Sequence, residues 1–162
     1  MIDNHLTSSD TPEKRLAALG MHLPPALSPR ANYVPFQRAG NLLYLSGHGP
    51  RAQDGSYSRG RLVDNCDIAL GYAAAQLTAL NLLASVKLSV GHLSKVESVI
   101  KVFGMVNAAA DFEHHAKVIN GFSDVLTQAF GDAGRHTRSA VGVGSLPHGM
   151  LVEIEAILLV RD

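Results

Sequence analysis

Apolar positions form short strand-like runs near both ends of the domain and recur at helical spacing between them. Residues 33–47 predict a β-hairpin, because two apolar runs flank the turn Ala39-Gly40-Asn41. Residues 94–106 predict a strand that is apolar on both faces, and residues 138–145 and 150–160 predict two final strands. The Gly-rich stretch 48–60 reads as a loop, with a short edge strand over 61–63.

Two longer segments have the spacing of amphipathic helices. The first covers roughly residues 65–90, with Asp64 as its N-cap, and its predicted buried face includes Leu70, Ala73 and Ala74. The second covers roughly residues 112–130, with Asp111 as its cap and Gly131 at its end. Its apolar stripe consists of Phe112, His115, Ala116, Ile119, Phe122 and Leu126.

The N-terminal region is predicted to form an arm that lies over the domain. Residues 1–10 are polar, and residues 11–20 predict a short helix that begins after Thr11. Residues 21–32 are Pro-rich and predict an extended segment. We therefore expect an arm over residues 1–30 and a single domain over residues 31–162.

The order of elements is β-β-(β)-α-β-α-β-β, which predicts an α+β fold with both helices on one face of a mixed sheet. The strands at 96–106 and 150–160 are apolar on both sides, which indicates burial of both sheet faces. One copy has no helices left to cover the second face. The pattern therefore favours an oligomer packed sheet to sheet.

Composition narrows the class of protein. Of 162 residues 46% are hydrophobic, the formal net charge is zero, and no basic run is present, which argues against a nucleic-acid surface. The single cysteine excludes an internal disulfide, and neither a secretory signal nor a membrane span is predicted. We expect a cytoplasmic protein without membrane contacts.

Charged residues interrupt the otherwise apolar C-terminal strands. Alternation places Glu153 and Glu155 on one face of the last strand. If the last two strands form a hairpin, Gly142 lies opposite Glu153, Ala140 opposite Glu155, and Arg138 diagonal to Glu155. The cluster is then either an ion pair in an interface or an anion site, in which the arginine grips a carboxylate and a glutamate activates water.

The same residues carry a family resemblance. The run R-S-A-V-G-V, the later L-P and V-E-I-E-A-I, a tyrosine at the start of the first strand, and L-S-G at the end of the second resemble the Rid family. That family is also called YjgF/YER057c/UK114 or endoribonuclease L-PSP. The resemblance covers about residues 31–161, and the arm is longer than in the simplest members. The chain therefore resembles a less characterised branch of this family.

The resemblance implies a chorismate-mutase-like fold and a homotrimer whose sheets form an inner barrel, with active sites in clefts between subunits. It implies hydrolysis of reactive enamines and imines, such as 2-aminoacrylate, to 2-oxo acids and ammonia. The ligand would be a small carboxylate, and neither a metal nor an organic cofactor is expected.

Carried over by resemblance, Arg138 grips the substrate carboxylate and Glu153 positions the attacking water. Further matches are Tyr33, Ser46, Gly47 and Asn120, the last by a loose local alignment. Three positions depart from the family pattern: Ala140 stands where many members have cysteine, His48 where glutamine is usual, and Tyr33 follows Asn32 instead of proline. His48 would border the cleft and could bind substrate; a plain loop histidine is the alternative.

Other functions stay open at this stage. A trimer that binds small carboxylates or a partner protein without turnover is the main alternative, and the loss of the family cysteine favours it. Endoribonuclease activity is disfavoured by the neutral charge. The eight histidines show no metal-site spacing, because His114 and His115 are adjacent on a helix and point apart.

Overall fold

A mixed sheet with helices on one face organises the chain. The computed structural model describes residues 10–26 and 32–162. The predictions for residues 1–9 and 27–31 lie outside these ranges. The elements are α1 (Pro12–Ala18), β1 (Phe36–Ala39), β2 (Leu42–His48), α2 (Ile68–Val90), β3 (Val96–Asn107), α3 (His115–Phe130), β4 (Thr137–Val143) and β5 (Val152–Val160).

The five strands lie in the order β1-β2-β5-β3-β4. Only β3 and β4 are parallel; the other neighbours are antiparallel. The predicted hairpin between the last two strands is wrong. Helix α3 connects β3 to β4 as a crossover, which makes those strands parallel neighbours, and β5 then inserts between β2 and β3.

The register of the C-terminal residues changes accordingly. Ala140 pairs with Gly104 and Gly142 with Val106, so neither lies opposite a glutamate. Glu153 pairs with Met105, and Glu155 pairs with Phe103. The expected shallow space above Ala140 and Gly142, bounded by both glutamates, does not form.

The core lies between the sheet and the two long helices. Strand β5 points its even-numbered side chains into this core, and Glu153 and Glu155 lie on the opposite face, as the alternation predicts. The mixed sheet with both main helices on one face is confirmed. The largest fully buried side chains are Leu16, Leu43, Leu62, Leu82, Leu83, Leu93, Ile119, Phe122, Leu126, Leu151, Ile154 and Leu158.

Three details differ from the prediction. Helix α3 begins at His115 instead of directly after Asp111. Leu70 and Ala73 near the start of α2 are exposed, because the buried face there consists of Gly71, Ala74 and Ala75 instead. The expected edge strand at 61–63 is a single bridge between Leu62 and Ala108.

Helix α1 joins the arm to the domain. Leu16 is buried in the shared core, and Arg15 donates a 2.9 Å hydrogen bond to the carbonyl of Ala129 at the end of α3. Glu13 accepts a 3.0 Å hydrogen bond from the backbone N–H of Leu93. The described part of the arm therefore packs on the domain.

Helix α2, with the short turn before it, is long and apolar enough to cross a membrane over Asn65–Val90. More than half of the most apolar 18-residue window in that stretch is buried inside the fold. Burial between the sheet and α3 accounts for its apolar character.

Helices α2 and α3 approach closely at Gly121. A Cβ atom there would contact the carbonyl oxygen of Tyr72 and lie 3.0 Å from the carbonyl carbon of the same residue. Backbone cannot move aside as a flexible side chain can, so this crossing depends on the missing side chain.

We predict that Gly121→Ala lowers the free energy of unfolding by about 1–3 kcal/mol, because overpacking outweighs the helix propensity that alanine adds. Urea unfolding at fixed protein concentration measures this change. Gly144→Ala is the matched control, since a Cβ there meets no atom within 4 Å. Equal stability of the two variants would show that the helix crossing tolerates a side chain.

Candidate functional site

Arg138 lies on the helix-facing side of the edge strand β4. It pairs with the buried Val102 and turns its side chain toward α3. Its Nη1 donates 2.9 Å hydrogen bonds to Oδ1 of Asn120 and to Oγ of Ser123, and its Nη2 donates a 3.3 Å bond to the carbonyl of Ala116. The structure thus brings together two of the predicted residues, Arg138 and Asn120.

Ser123 links the arginine to a second residue, His136. Nδ1 of His136 lies 2.7 Å from the carbonyl of Gly134, which can only accept, so Nδ1 carries the proton. Nε2 of a neutral His136 then accepts from Oγ of Ser123 at 3.0 Å. The hydroxyl proton points to the histidine, which leaves a lone pair of Oγ for the guanidinium.

The neutral form of His136 is favoured by its surroundings. Burial lowers the pKa of this histidine, the hydrogen bond to Gly134 opposes that shift, and the charge of Arg138 lowers the pKa further. A neutral imidazole therefore fixes the direction of the hydrogen bonds around Arg138.

The guanidinium keeps donors for a ligand. Arginine has five N–H groups, and three of them donate within the described residues. Nε and one N–H of Nη2 remain, and these two can grip a carboxylate side-on. Arg138 makes no ion pair in the described part of the chain.

Glu153 lies on the other face of the sheet, beside a bulge in β2. Ser46 and Gly47 together oppose the single position between Ala156 and Ile154 of β5. Such a bulge bends the strand and redirects its side chains.

Gly47 makes room for the carboxyl group of Glu153. A Cβ at position 47 would contact Oε1 of Glu153 and lie 2.9 Å from its Cδ. Gly47 and Glu153, both of which the resemblance places at the substrate, are therefore in direct contact in the structure.

The Glu153 carboxyl is half-buried, and its environment disfavours ionisation. Burial raises the pKa of Glu153, and the negative charge of Glu155 on the same face raises it further. A carboxylate with a raised pKa is a stronger base, which suits abstraction of a proton from water.

Ser46 contacts the segment that leads into β1 and contains Tyr33. The hydroxyl of Ser46 donates a 2.6 Å hydrogen bond to the carbonyl of Val34, which holds the segment that carries Tyr33. The Tyr33 side chain is 58% exposed. It is thus available to a ligand or to another chain.

His48 does not border the site, which corrects that prediction. The bulge at Ser46-Gly47 shifts the alternation of β2, so that His48 points into the core and is 1% exposed. Its Nδ1 bonds to the carbonyl of Ser46 at 2.7 Å, and its Nε2 to Oγ of Ser85 at 2.8 Å. Both ring nitrogens are engaged, and burial lowers the pKa of this histidine.

Ala140 lies between Arg138 and Gly142 on the helix-facing side of β4 and is partly buried. It supplies no polar group. Its small side chain leaves space beside Arg138 at the position where the family cysteine would stand.

Sequence reasoning missed Ser123 and His136. Their spacing carried a signal: Ser123 follows Asn120 by three residues on a helix, and His136 precedes Arg138 by two on an extended segment. Both pairs therefore share a face with a predicted site residue. Across residues 10–26 and 32–162, no group of three or more His, Cys, Asp or Glu side chains is placed to hold a metal ion.

The arginine and the glutamate cannot meet within one chain. Arg138 faces α3, whereas Glu153 faces away from the helices, and β3 separates their strands. Two strand spacings amount to about 10 Å in the plane of the sheet. We therefore define two half-sites in each chain: the arginine half-site (Arg138, Asn120, Ser123, His136) and the glutamate half-site (Glu153 and Gly47, with Ser46 next to Gly47 in the bulge).

Comparison with known proteins agrees with this architecture. Protein TCP17 of Trypanosoma cruzi is 37% identical over 144 residues, which cover 88% of this chain and 90% of TCP17. The crystal structure of Atu1372 from Agrobacterium tumefaciens, a protein of unknown function, has a TM-score of 0.85 and 44% identity, covering 93% of this chain and 92% of that one.

A crystal structure from Shewanella oneidensis, described as a "putative endoribonuclease", has a TM-score of 0.87 and 32% identity, covering 93% of this chain and all of that one. The sequence also matches a family over residues 13–157. The chain therefore belongs to the family described as "YjgF/chorismate_mutase-like, putative endoribonuclease".

Proposed function

We propose that the protein hydrolyses imines and enamines of 2-amino acids to 2-oxo acids and ammonia. One observation carries the proposal: Arg138 is held by three hydrogen bonds and still has two N–H groups directed at no acceptor in the described residues. That arrangement suits a carboxylate, which is the one group that all such substrates share.

The reaction needs few catalytic groups from the protein. The imine carbon is already electrophilic, so a positioned water can attack it. An enamine first takes a proton on its β carbon and becomes an imine. Glu153 would accept a proton from the water as its oxygen bonds to the imine carbon and the C=N bond becomes a C–N bond, which gives a carbinolamine. Protonation of the nitrogen and loss of the hydroxyl proton then break the C–N bond, and ammonia and the 2-oxo acid are released. Water supplies the oxygen of the product, and no redox step occurs.

The two half-sites would combine between chains. The sheet face that carries Glu153 has no helix over it in the described chain, and it exposes apolar surface such as Tyr44 and Val141. A second copy whose edge strand β4 lies beside this face would bring its arginine half-site to the glutamate half-site of the first. We propose a homotrimer, as the family resemblance implies.

The first prediction concerns the two central residues. We expect Arg138→Ala to lower kcat/KM for imine hydrolysis about 100-fold, because it removes a charged bidentate contact. Glu153→Gln should lower kcat by about 100-fold and keep carboxylate binding, because only the base is lost. Imines are generated in situ by an amino-acid oxidase, with semicarbazide competing to trap them.

Glu155→Gln is the matched control, since it removes a carboxylate from the same strand and face. It should retain turnover. Undiminished hydrolysis by Glu153→Gln would remove that residue from the mechanism. No hydrolysis by the unaltered protein across a panel of amino acids would contradict the proposed function.

The second prediction concerns Ser123. Ser123→Ala removes the acceptor between Arg138 and His136, and we expect KM to rise about 5- to 10-fold with little change in kcat. Ser123→Thr keeps the hydroxyl and should restore the KM. Calorimetric binding of 2-oxobutanoate should follow the same order. Equal KM values for the two variants would show that the hydroxyl does not position the arginine.

The third prediction concerns pH. The proposed base acts as a carboxylate, so kcat/KM should fall as pH drops through the raised pKa of Glu153. Glu155→Gln removes the neighbouring charge and lowers the pKa of Glu153. The acid limb of the kcat/KM profile should therefore move to lower pH. A limb that stays in place would assign it to another group.

A further inference from the structure

A cavity of about 300 Å³ opens between β4 and the start of α3, on the same side of the sheet as the arginine half-site. Its walls consist of Arg61, His115, and the short segments 108–110 and 142–144. The proposed reaction uses none of these residues.

The cavity continues from Arg138. Arg138, Ala140 and Gly142 share the helix-facing side of β4, and Gly142 lies about 13 Å along the strand from Arg138 at the backbone. The arginine side chain shortens that gap, because its Nη2 donates to the carbonyl of Ala116, the residue after His115. A ligand carboxylate on Arg138 would therefore have its remaining atoms within reach of the cavity.

His115 is held in place at the cavity wall. A Cβ at Gly142 would contact Nε2 of this histidine and lie 3.2 Å from its Cδ2. The ring of Phe112 packs edge-on against the imidazole, with ring centroids 5.3 Å apart. Gly142 and Phe112 together hold the imidazole ring in place. Little side-chain entropy is therefore lost when a ligand accepts a hydrogen bond from it.

The titratable residues that line the cavity are all basic. Its titratable lining consists of Arg61 and His115, and the rest is alanine, glycine and valine. The nearby carboxylates of Asp111 and Glu113 line a separate depression. An arginine stays charged at any physiological pH, so the cavity is suited to an anionic group.

We infer that this cavity binds the distal carboxylate of a dicarboxylic substrate, so that the preferred substrates are imines of acidic amino acids. The inference rests on the proposed function. Arg138 would hold the 2-carboxylate, while Arg61 and His115 would hold the distal one. The imine of glutamate carries two such carboxylates.

The test compares imines of equal length. Oxidases generate the imines of glutamate and of norvaline, a five-carbon amino acid without a distal charge. We expect kcat/KM to be about 10-fold higher for the glutamate imine, as a charged hydrogen bond provides. Arg61→Gln should abolish that preference and leave norvaline imine hydrolysis unchanged. Arg59→Gln, an exposed arginine two residues away, is the matched control and should keep the preference.

The outcomes separate the two proposals. A higher kcat/KM for the norvaline imine, or a preference unaffected by Arg61→Gln, would overturn the inference and leave the proposed function standing. If neither imine is hydrolysed, the proposed function fails, and calorimetry still tests the cavity. In that case tighter binding of 2-oxoglutarate than of 2-oxopentanoate, lost in Arg61→Gln, supports the cavity assignment; equal binding overturns it.

Discussion

The alternation of side chains along the central strand β5 is the constraint on which the rest of the structure depends. Its even-numbered residues must be apolar, because they fill the core beneath α2 and α3. Glu153 and Glu155 are consequently directed to the face that has no helix. Glu155 is exposed on that face, and Glu153 is partly buried. A carboxylate with a raised pKa thus lies on a sheet face that no helix covers within the described residues.

The two half-sites differ in how they are held. The arginine half-site depends on side-chain hydrogen bonds to α3, in which His136, Ser123 and Asn120 act as one chain of donors and acceptors. The glutamate half-site depends on backbone geometry, because a bulge and the missing side chain of Gly47 create the space that the carboxyl group fills. Because different contacts hold the two half-sites, neither has to change its conformation for a second chain to bring them together.

Periodicity predicted the main strands and helices of the domain because each has a one-sided or two-sided apolar pattern. It did not predict the strand order. The residues between β4 and β5 contain Gly and Pro, which is typical of a tight turn between paired strands. In the structure, however, the crossover through α3 makes β4 the partner of β3. The placement of His48 failed for a related reason, since a bulge reverses alternation and has no clear sequence signal. The sequence identified Arg138 and Glu153 as charged residues in apolar strands. Only the strand order and register showed that the two residues lie on opposite faces of the sheet.

We propose that each site takes its arginine and its glutamate from different chains. The most direct measurement is the imine-hydrolysis activity of assemblies co-expressed from Arg138→Ala and Glu153→Gln chains carrying different tags. Random mixing in equal amounts should leave both native residues at about a quarter of the interfaces, so activity should return to about that fraction of the unaltered protein. Mixed assemblies, verified by mass spectrometry, that stay as inactive as either variant alone would contradict the account.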